Sequence, residues 1–256
     1  MSSHFFKKSF GQNFLKYKST AEKIISYLDF NTKNIIEIGP GAGILTEKLL
    51  DKNFNVISVE IDKLLYEPLQ TKFESFNNFS LIKADILEFN IEDLALGDYS
   101  VIGSLPYNIS KKVISKFLSL ENQPKEMVFL VQKEVAKNYV AMPPKATFLS
   151  NYVRIFGEIE YLLTIKKEEF FPEPKVDGGL IKIIPKNKAN NNNIIKFIKN
   201  GYRSPRKTLV NTLSSIYKID KMKLINFLLE HKLNGTVRAS ELTLKEWKLI
   251  YELIMD

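Results

Sequence analysis

The feature that most constrains this chain is the segment Asn34-Ile35-Ile36-Glu37-Ile38-Gly39-Pro40-Gly41-Ala42-Gly43. An apolar, β-branched run stops at alternating glycines, and a helical pattern follows over Ala42–Asp51. Glycines let the backbone turn sharply and approach a ligand closely. The helix that opens behind them offers N–H groups with no intrahelical acceptor. A strand, a glycine turn and a helix in that order begin a β-α-β unit.

The same alternation continues. Strand patterns fall at Asn34–Ile38, Asn55–Ile61, Phe79–Ala84, Tyr99–Gly103, Glu126–Val131, Tyr161–Ile165 and Gly179–Ile184, with helical patterns between the early ones, as at Asp62–Ser75 and Ser110–Ser119. This order predicts an α/β fold with a doubly wound, mainly parallel sheet. No clear helix separates the last two runs, so they are expected as an antiparallel hairpin at one edge. From Pro185 a linker pattern runs into the low-complexity patch Asn190–Asn193. Beyond it, Ile194–Gly201, Pro205–Tyr217, Lys221–His231 and Leu244–Met255 have helical spacing. The expected domains are 1–185, a ligand-binding α/β domain, and 186–256, a small helical domain.

Charge divides the chain at the same place. Residues 1–185 hold 23 Lys and Arg against 23 Asp and Glu; residues 186–256 hold 14 against 6, so the net +8 lies in the tail. Such asymmetry suits a partner with a polyanionic surface. With no cysteine, disulfides, thiolate metal sites and a cysteine nucleophile are excluded. His4 and His231 are the only imidazoles, so a metal site and a Ser-His-Asp triad are not expected. No apolar run reaches about eighteen residues, and Lys7-Lys8 leads into Ser9-Phe10-Gly11 rather than an apolar signal segment. The expectation is a cytoplasmic protein without membrane or metal.

By itself the glycine loop suits a dinucleotide, a phosphate or S-adenosylmethionine. Glu60 ends the second strand pattern, at the distance needed for a ribose diol, and Asp85 ends the third, where a carboxylate can accept from an adenine amine. The fourth runs into Gly103-Ser104-Leu105-Pro106-Tyr107-Asn108-Ile109-Ser110. An adenine amine is a poor nucleophile because its lone pair is delocalised into the ring. Methylating it requires the amine to be held in line, with its hydrogens on acceptors. The Ser104 hydroxyl and Leu105 carbonyl have the right chemistry; Pro106 stiffens the turn and Tyr107 offers a face for a flipped base. In Phe170-Phe171-Pro172-Glu173-Pro174-Lys175-Val176-Asp177, prolines hold the chain extended and an aromatic ring can cover the other face. Lys7-Lys8-Ser9-Phe10-Gly11-Gln12-Asn13-Phe14-Leu15 mixes basic, amide and aromatic groups.

Taken together, the segments from about Phe10 to Leu213 resemble the KsgA-type small-subunit ribosomal RNA adenine dimethyltransferases, relatives of the Erm methyltransferases. The resemblance rests on Phe-Gly-Gln-Asn-Phe-Leu, Glu-Ile-Gly-Pro-Gly-Ala-Gly, Leu-Pro-Tyr-Asn-Ile-Ser and Phe-x-Pro-x-Pro-Lys-Val-Asp, in order. It implies a Rossmann-like class I methyltransferase sheet with S-adenosylmethionine as cofactor, touched by Asn13, Leu15, Gly39, Glu60, Asp85 and Ser104. It implies catalysis by Ser104, Leu105, Pro106 and Tyr107, with Phe170 as the second stacking ring. It also implies N6,N6-dimethylation of two adjacent adenosines in the 3′-terminal hairpin of 16S ribosomal RNA, in a pre-30S particle, by a monomer with a part in ribosome biogenesis. Lys7, Lys8, Arg203, Arg206 and Lys207 are the expected RNA contacts. The segment Arg203–Leu213 resembles the ribosome-directed branch and matches Erm enzymes poorly. Two positions depart from the family: Ser104 stands for asparagine, and Gly178 for serine.

Three alternatives remain open at this point. An Erm-type enzyme would act on large-subunit RNA. A dinucleotide-dependent oxidoreductase would use the glycine loop and Glu60 but leave Asp85 and Leu-Pro-Tyr without a role. A catalytically weak assembly factor would fit the serine at position 104.

Overall fold

The structure, a computed structural model, describes residues 13–186 and 192–255. Its elements run β1 (Phe14–Leu15), α1 (Lys18–Ile25), β2 (Asn34–Ile38), α2 (Ile44–Asp51), β3 (Asn55–Glu60), α3 (Lys63–Phe73) and β4 (Phe79–Lys83). Then come β5 (Tyr99–Ser104), α4 (Tyr107–Leu118), β6 (Glu126–Gln132), α5 (Lys133–Val140), α6 (Phe148–Phe156), β7 (Gly157–Ile165), β8 (Phe170–Phe171) and β9 (Gly178–Pro185). The tail carries α7 (Asn192–Gly201), α8 (Leu209–Tyr217), α9 (Lys221–Glu230) and α10 (Leu244–Met255).

Seven strands form one sheet in the order β4-β3-β2-β5-β6-β9-β7. The β2–β3, β2–β5, β3–β4 and β5–β6 pairs are parallel, and β9 lies antiparallel to β6. This is the expected mainly parallel α/β fold, with β9 and β7 side by side at one edge. The winding reverses between β2 and β5. There the crossovers leave in opposite directions and open a crevice beyond the strand ends. The strands supplying Glu60 and Ser104 both end at that level. The central strands are mostly apolar, as burial on two faces demands, with Ile35, Ile36, Val101, Val128 and Phe129 fully or nearly fully buried beside the polar Glu37, Ser58 and Ser100.

The chain divides into two compact units, 1–137 with 159–186, and 138–158 with 187–256. Sequence patterning put the boundary at 185/186; the structure also groups 138–158, including α6, with the tail. The reason lies in polar and aromatic contacts. The Tyr202 hydroxyl donates to the carbonyls of Ala146 and Ala239, accepts from Asn151 Nδ2, and the ring meets Phe148 edge-on. The helical unit centres on buried Trp247, whose indole stacks on Tyr202 at 5.9 Å and meets Phe197 edge-on at 6.0 Å. One helix starts later than its pattern. Residues 203–208 form a turn, and α8 begins at Leu209, where the Thr208 side chain accepts from Asn211 N–H. Arg203, Arg206 and Lys207 therefore sit in an exposed turn before the helix.

Candidate active site

A cavity of about 700 Å³ lies at the carboxyl ends of the parallel strands in the sheet-bearing unit. Asn13, Leu15, Gly39, Glu60, Asp85, Ser104, Leu105, Pro106 and Phe170 all line it. The first turn of α4 opens with Tyr107, whose side chain lies outside the described set, as do Lys7 and Lys8. Arg203, Arg206 and Lys207 belong to the helical unit.

Glu60 is 3% exposed at the end of β3. One carboxylate oxygen accepts from Asp62 N–H at 2.8 Å; the other is 3.5 Å from Gly41 N–H, the outer limit of a hydrogen bond. Burial pushes its pKa up, against those backbone donors. A carboxylate has about four lone-pair sites, so two ribose hydroxyls can still be accepted. Asp85 Oδ1 accepts from Leu87 N–H at 2.8 Å, closing a tight turn at the end of β4. Ser104 ends β5, half-buried. Leu105 N–H is fixed on the Leu130 carbonyl at 2.8 Å. The Pro106 carbonyl takes the N–H groups of Ile109 and Ser110 as α4 starts. The Leu105 peptide is thus anchored through its N–H to the neighbouring strand.

Glycine at two positions makes room for an aromatic ring. Gly41 has φ +60°, and a Cβ there would lie 2.5 Å from the Phe14 ring. Phe14 therefore packs directly on the glycine loop while its strand pairs with β8, Phe14 opposite Phe171 and Leu15 opposite Phe170. A Cβ at Gly178 would lie 2.8 Å from Leu130 Cδ1 and 3.2 Å from Phe170 Cζ. A side chain at 178 would therefore crowd Leu130 first and then Phe170, which is 6% exposed and on the cavity wall. Phe171 points elsewhere and is 49% exposed.

These groups fit S-adenosylmethionine: a glycine loop for the amino-acid end, a buried carboxylate for the ribose, and an acidic turn for the base. Residues 3–256 match the family of ribosomal RNA adenine dimethylases. The chain belongs to that family. Relatives named ribosomal RNA small subunit methyltransferase A include one from Dehalococcoides mccartyi (strain ATCC BAA-2100), 36% identical, covering 94% of this chain and 86% of the relative. Another, from Mycoplasma mobile, is 33% identical over 98% and 99%. Two crystal structures share the fold. A dimethyladenosine transferase from Plasmodium falciparum has a TM-score of 0.76 at 24% identity, covering 94% of this chain and 98% of that one. The 23S rRNA methyltransferase ErmE has 0.75 at 20%, covering 95% and 100%.

This ribosomal RNA adenine dimethylase family member is therefore an S-adenosylmethionine-dependent methyltransferase acting on ribosomal RNA. Among the described residues no group of three or more His, Asp or Glu suits a metal ion, and no helix is long and apolar enough to cross a membrane. Sequence patterning passed over several residues of the site: Phe14, and the cavity-lining Ile61, Asn108, Gln132 and Val176. Phe14 lay inside a recognised motif, but only its contact with Gly41 shows what the ring does.

Proposed function

We propose that the enzyme dimethylates N6 of two adjacent adenosines in the 3′-terminal hairpin of small-subunit ribosomal RNA, within a pre-30S particle. The observation that carries the chemistry is the convergence of Glu60, Asp85, Ser104 and Leu105 on one cavity. The choice of subunit rests on relatives, at 32–36% identity, named for the small subunit. Residues 1–185 bind cofactor and base; 186–256 hold RNA through Arg203, Arg206 and Lys207, joined by Lys7 and Lys8. The enzyme acts as a cytoplasmic monomer.

S-adenosylmethionine, when bound, supplies an electrophilic sulfonium methyl. Asn13, Leu15 and Gly39 hold its amino-acid end, Glu60 takes the ribose hydroxyls, and Asp85 accepts from the adenine amine. The target adenine lies between Tyr107 and Phe170. Its amine hydrogens go to the Ser104 hydroxyl and the Leu105 carbonyl, which align the nitrogen and take up charge as it attacks. Pro106 keeps that turn rigid.

Single-turnover methyl transfer to purified pre-30S particles, scoring mono- and dimethyladenosine and mapping them by primer extension, tests this. Wild type gives dimethyladenosine at two neighbouring positions. Ser104→Ala is slowed about ten- to a hundredfold, the lower range for losing one pre-organised partner, and Ser104→Asn stays active. Product on large-subunit RNA instead would make the enzyme Erm-like. No product on any ribosomal particle would make it an assembly factor.

A further inference from the structure

Asp85 follows a strand at one edge of the sheet. β4 is an edge strand, paired on one side only, and none of its residues is fully buried. The loop after it is closed mostly by its own groups. Asp85 Oδ1 accepts from Leu87 N–H, and the Asp85 carbonyl accepts from the N–H groups of Glu88 and Phe89 at 3.0 and 2.8 Å. These bonds fix the shape of the loop; its start is placed by Ala84 N–H on the Glu60 carbonyl at 3.1 Å and by the buried Ile86.

The far end of the loop, beyond Ile86, is tied to the rest of the sheet unit by a charged side chain. Lys116 Nζ donates to the Leu87 carbonyl at 3.0 Å and to the Phe89 carbonyl at 2.5 Å. Both described acceptors are main-chain carbonyls of this loop. Lys116 stands on α4, a helix seated in the core by Val113, Ile114, Phe117 and Leu118, each 0–1% exposed. The same helix starts at Tyr107, immediately after the Ser104–Pro106 turn, about 14 Å along its axis from Lys116. An ammonium bridging two carbonyls makes charge-assisted bonds, roughly twice as strong as neutral ones. Its half-buried stem packs on the way.

We propose that Lys116 is a positioning residue for cofactor recognition: it holds the Asp85 loop at the height where the carboxylate meets the adenine edge, using the helix that carries the catalytic turn as its reference. The inference rests on the reading that Asp85 accepts from the adenine amine. Lys116 touches no reacting group, so its loss weakens recognition of the base and leaves the ribose and amino-acid contacts intact.

The test compares two probes by calorimetry on the full chain: S-adenosylhomocysteine, and its analogue with hypoxanthine in place of adenine. Hypoxanthine presents a carbonyl where adenine presents the amine, so a correctly placed carboxylate rejects it. Wild type prefers adenine by about tenfold or more, the range of one hydrogen bond to a charged group. Asp85→Asn abolishes most of that preference. Lys116→Met, which keeps the stem, shrinks it by about fivefold or more while affinity for the hypoxanthine probe stays within about twofold, which also shows that the variant is folded. Lys116→Arg restores part of it. Full preference in Lys116→Met, or an equal loss for both probes, overturns the role of Lys116. Full preference in Asp85→Asn overturns the reading of Asp85 itself, whatever Lys116→Met does.

Discussion

At the scale of single residues, Glu37 has the most unusual environment. It is completely buried. Its Oε2 accepts from Thr46 Oγ1 of α2 and Ser58 Oγ of β3, each at 2.6 Å, while Oε1 has no partner among the described residues. Burial pushes its pKa from an ordinary 4.5 up to about 7, and the nearby Glu60 carboxylate adds to the rise. Between those values the folded protein holds a proton that the unfolded chain has released, so stability falls as pH rises from about 4.5 to 7. Glu37→Gln mimics the protonated form. Thermal melts from pH 5 to 8 are expected to show the variant gaining on wild type by about 1–3 kcal/mol as pH rises; a constant difference would show that Glu37 does not titrate in that window. The glycine-loop motif contained Glu37, but nothing in a linear pattern says that both its hydroxyl partners come from other elements. Gly178 is similar: its departure from the family is visible in the sequence, whereas the side chains that a Cβ there would crowd, Phe170 and Leu130, lie 8 and 48 positions away.

At the scale of elements, strand and helix patterns located the whole seven-stranded sheet, because each central strand is buried on both faces and leaves a mainly apolar, β-branched run. The two-residue strands β1 and β8 carry no period to detect and exist only through each other. Helices α1, α5 and α6 were also passed over. The reciprocal cap of α6, Thr147 with Ser150, follows a Met-Pro-Pro segment that reads as loop. The β1–β8 pair reaches two parts of the cavity: Phe14 packs on the glycine loop and Phe170 lines the wall. Further bonds fasten it, from Lys16 N–H to the Glu169 carbonyl at 2.7 Å and from the Thr20 hydroxyl to the Glu169 carboxylate. Removing the Phe14 ring should therefore loosen both. Phe14→Ala is expected to weaken S-adenosylmethionine binding by about ten- to seventyfold, taking roughly half the usual cost of deleting a buried ring because Phe14 is half-buried, and Phe14→Leu to retain most of it. Calorimetry decides; unchanged affinity in the alanine variant would leave the ring a mere filler.

At the scale of the molecule, charge and fold divide the chain in nearly the same place, and the charge step was readable from the sequence alone. The displacement of 138–158 into the helical unit was not, because it depends on Tyr202 finding Ala146, Asn151 and Phe148. If the exposed turn at Arg203, Arg206 and Lys207 meets phosphates, reversing those charges lowers affinity for the ribosomal particle and flattens its salt dependence by about one unit of log–log slope per lost contact. Cofactor affinity should not change. Filter binding across a salt series, with calorimetry alongside, measures both; a parallel loss would assign the turn to folding.

The pairing of β1 with β8 also orders events in time. Phe14 is synthesised well before its strand partner, which lies 157 residues further along the chain at position 171. Domains form largely in the order in which they are made, yet here the wall over the glycine loop stays unfinished until residues 170 and 171 emerge. A nascent chain halted before that point has the glycine loop and both acidic strand ends, with nothing to pin Phe14 across them. If the cavity takes the cofactor as proposed, such a chain is expected to bind S-adenosylmethionine more weakly than one that includes residues 170 and 171.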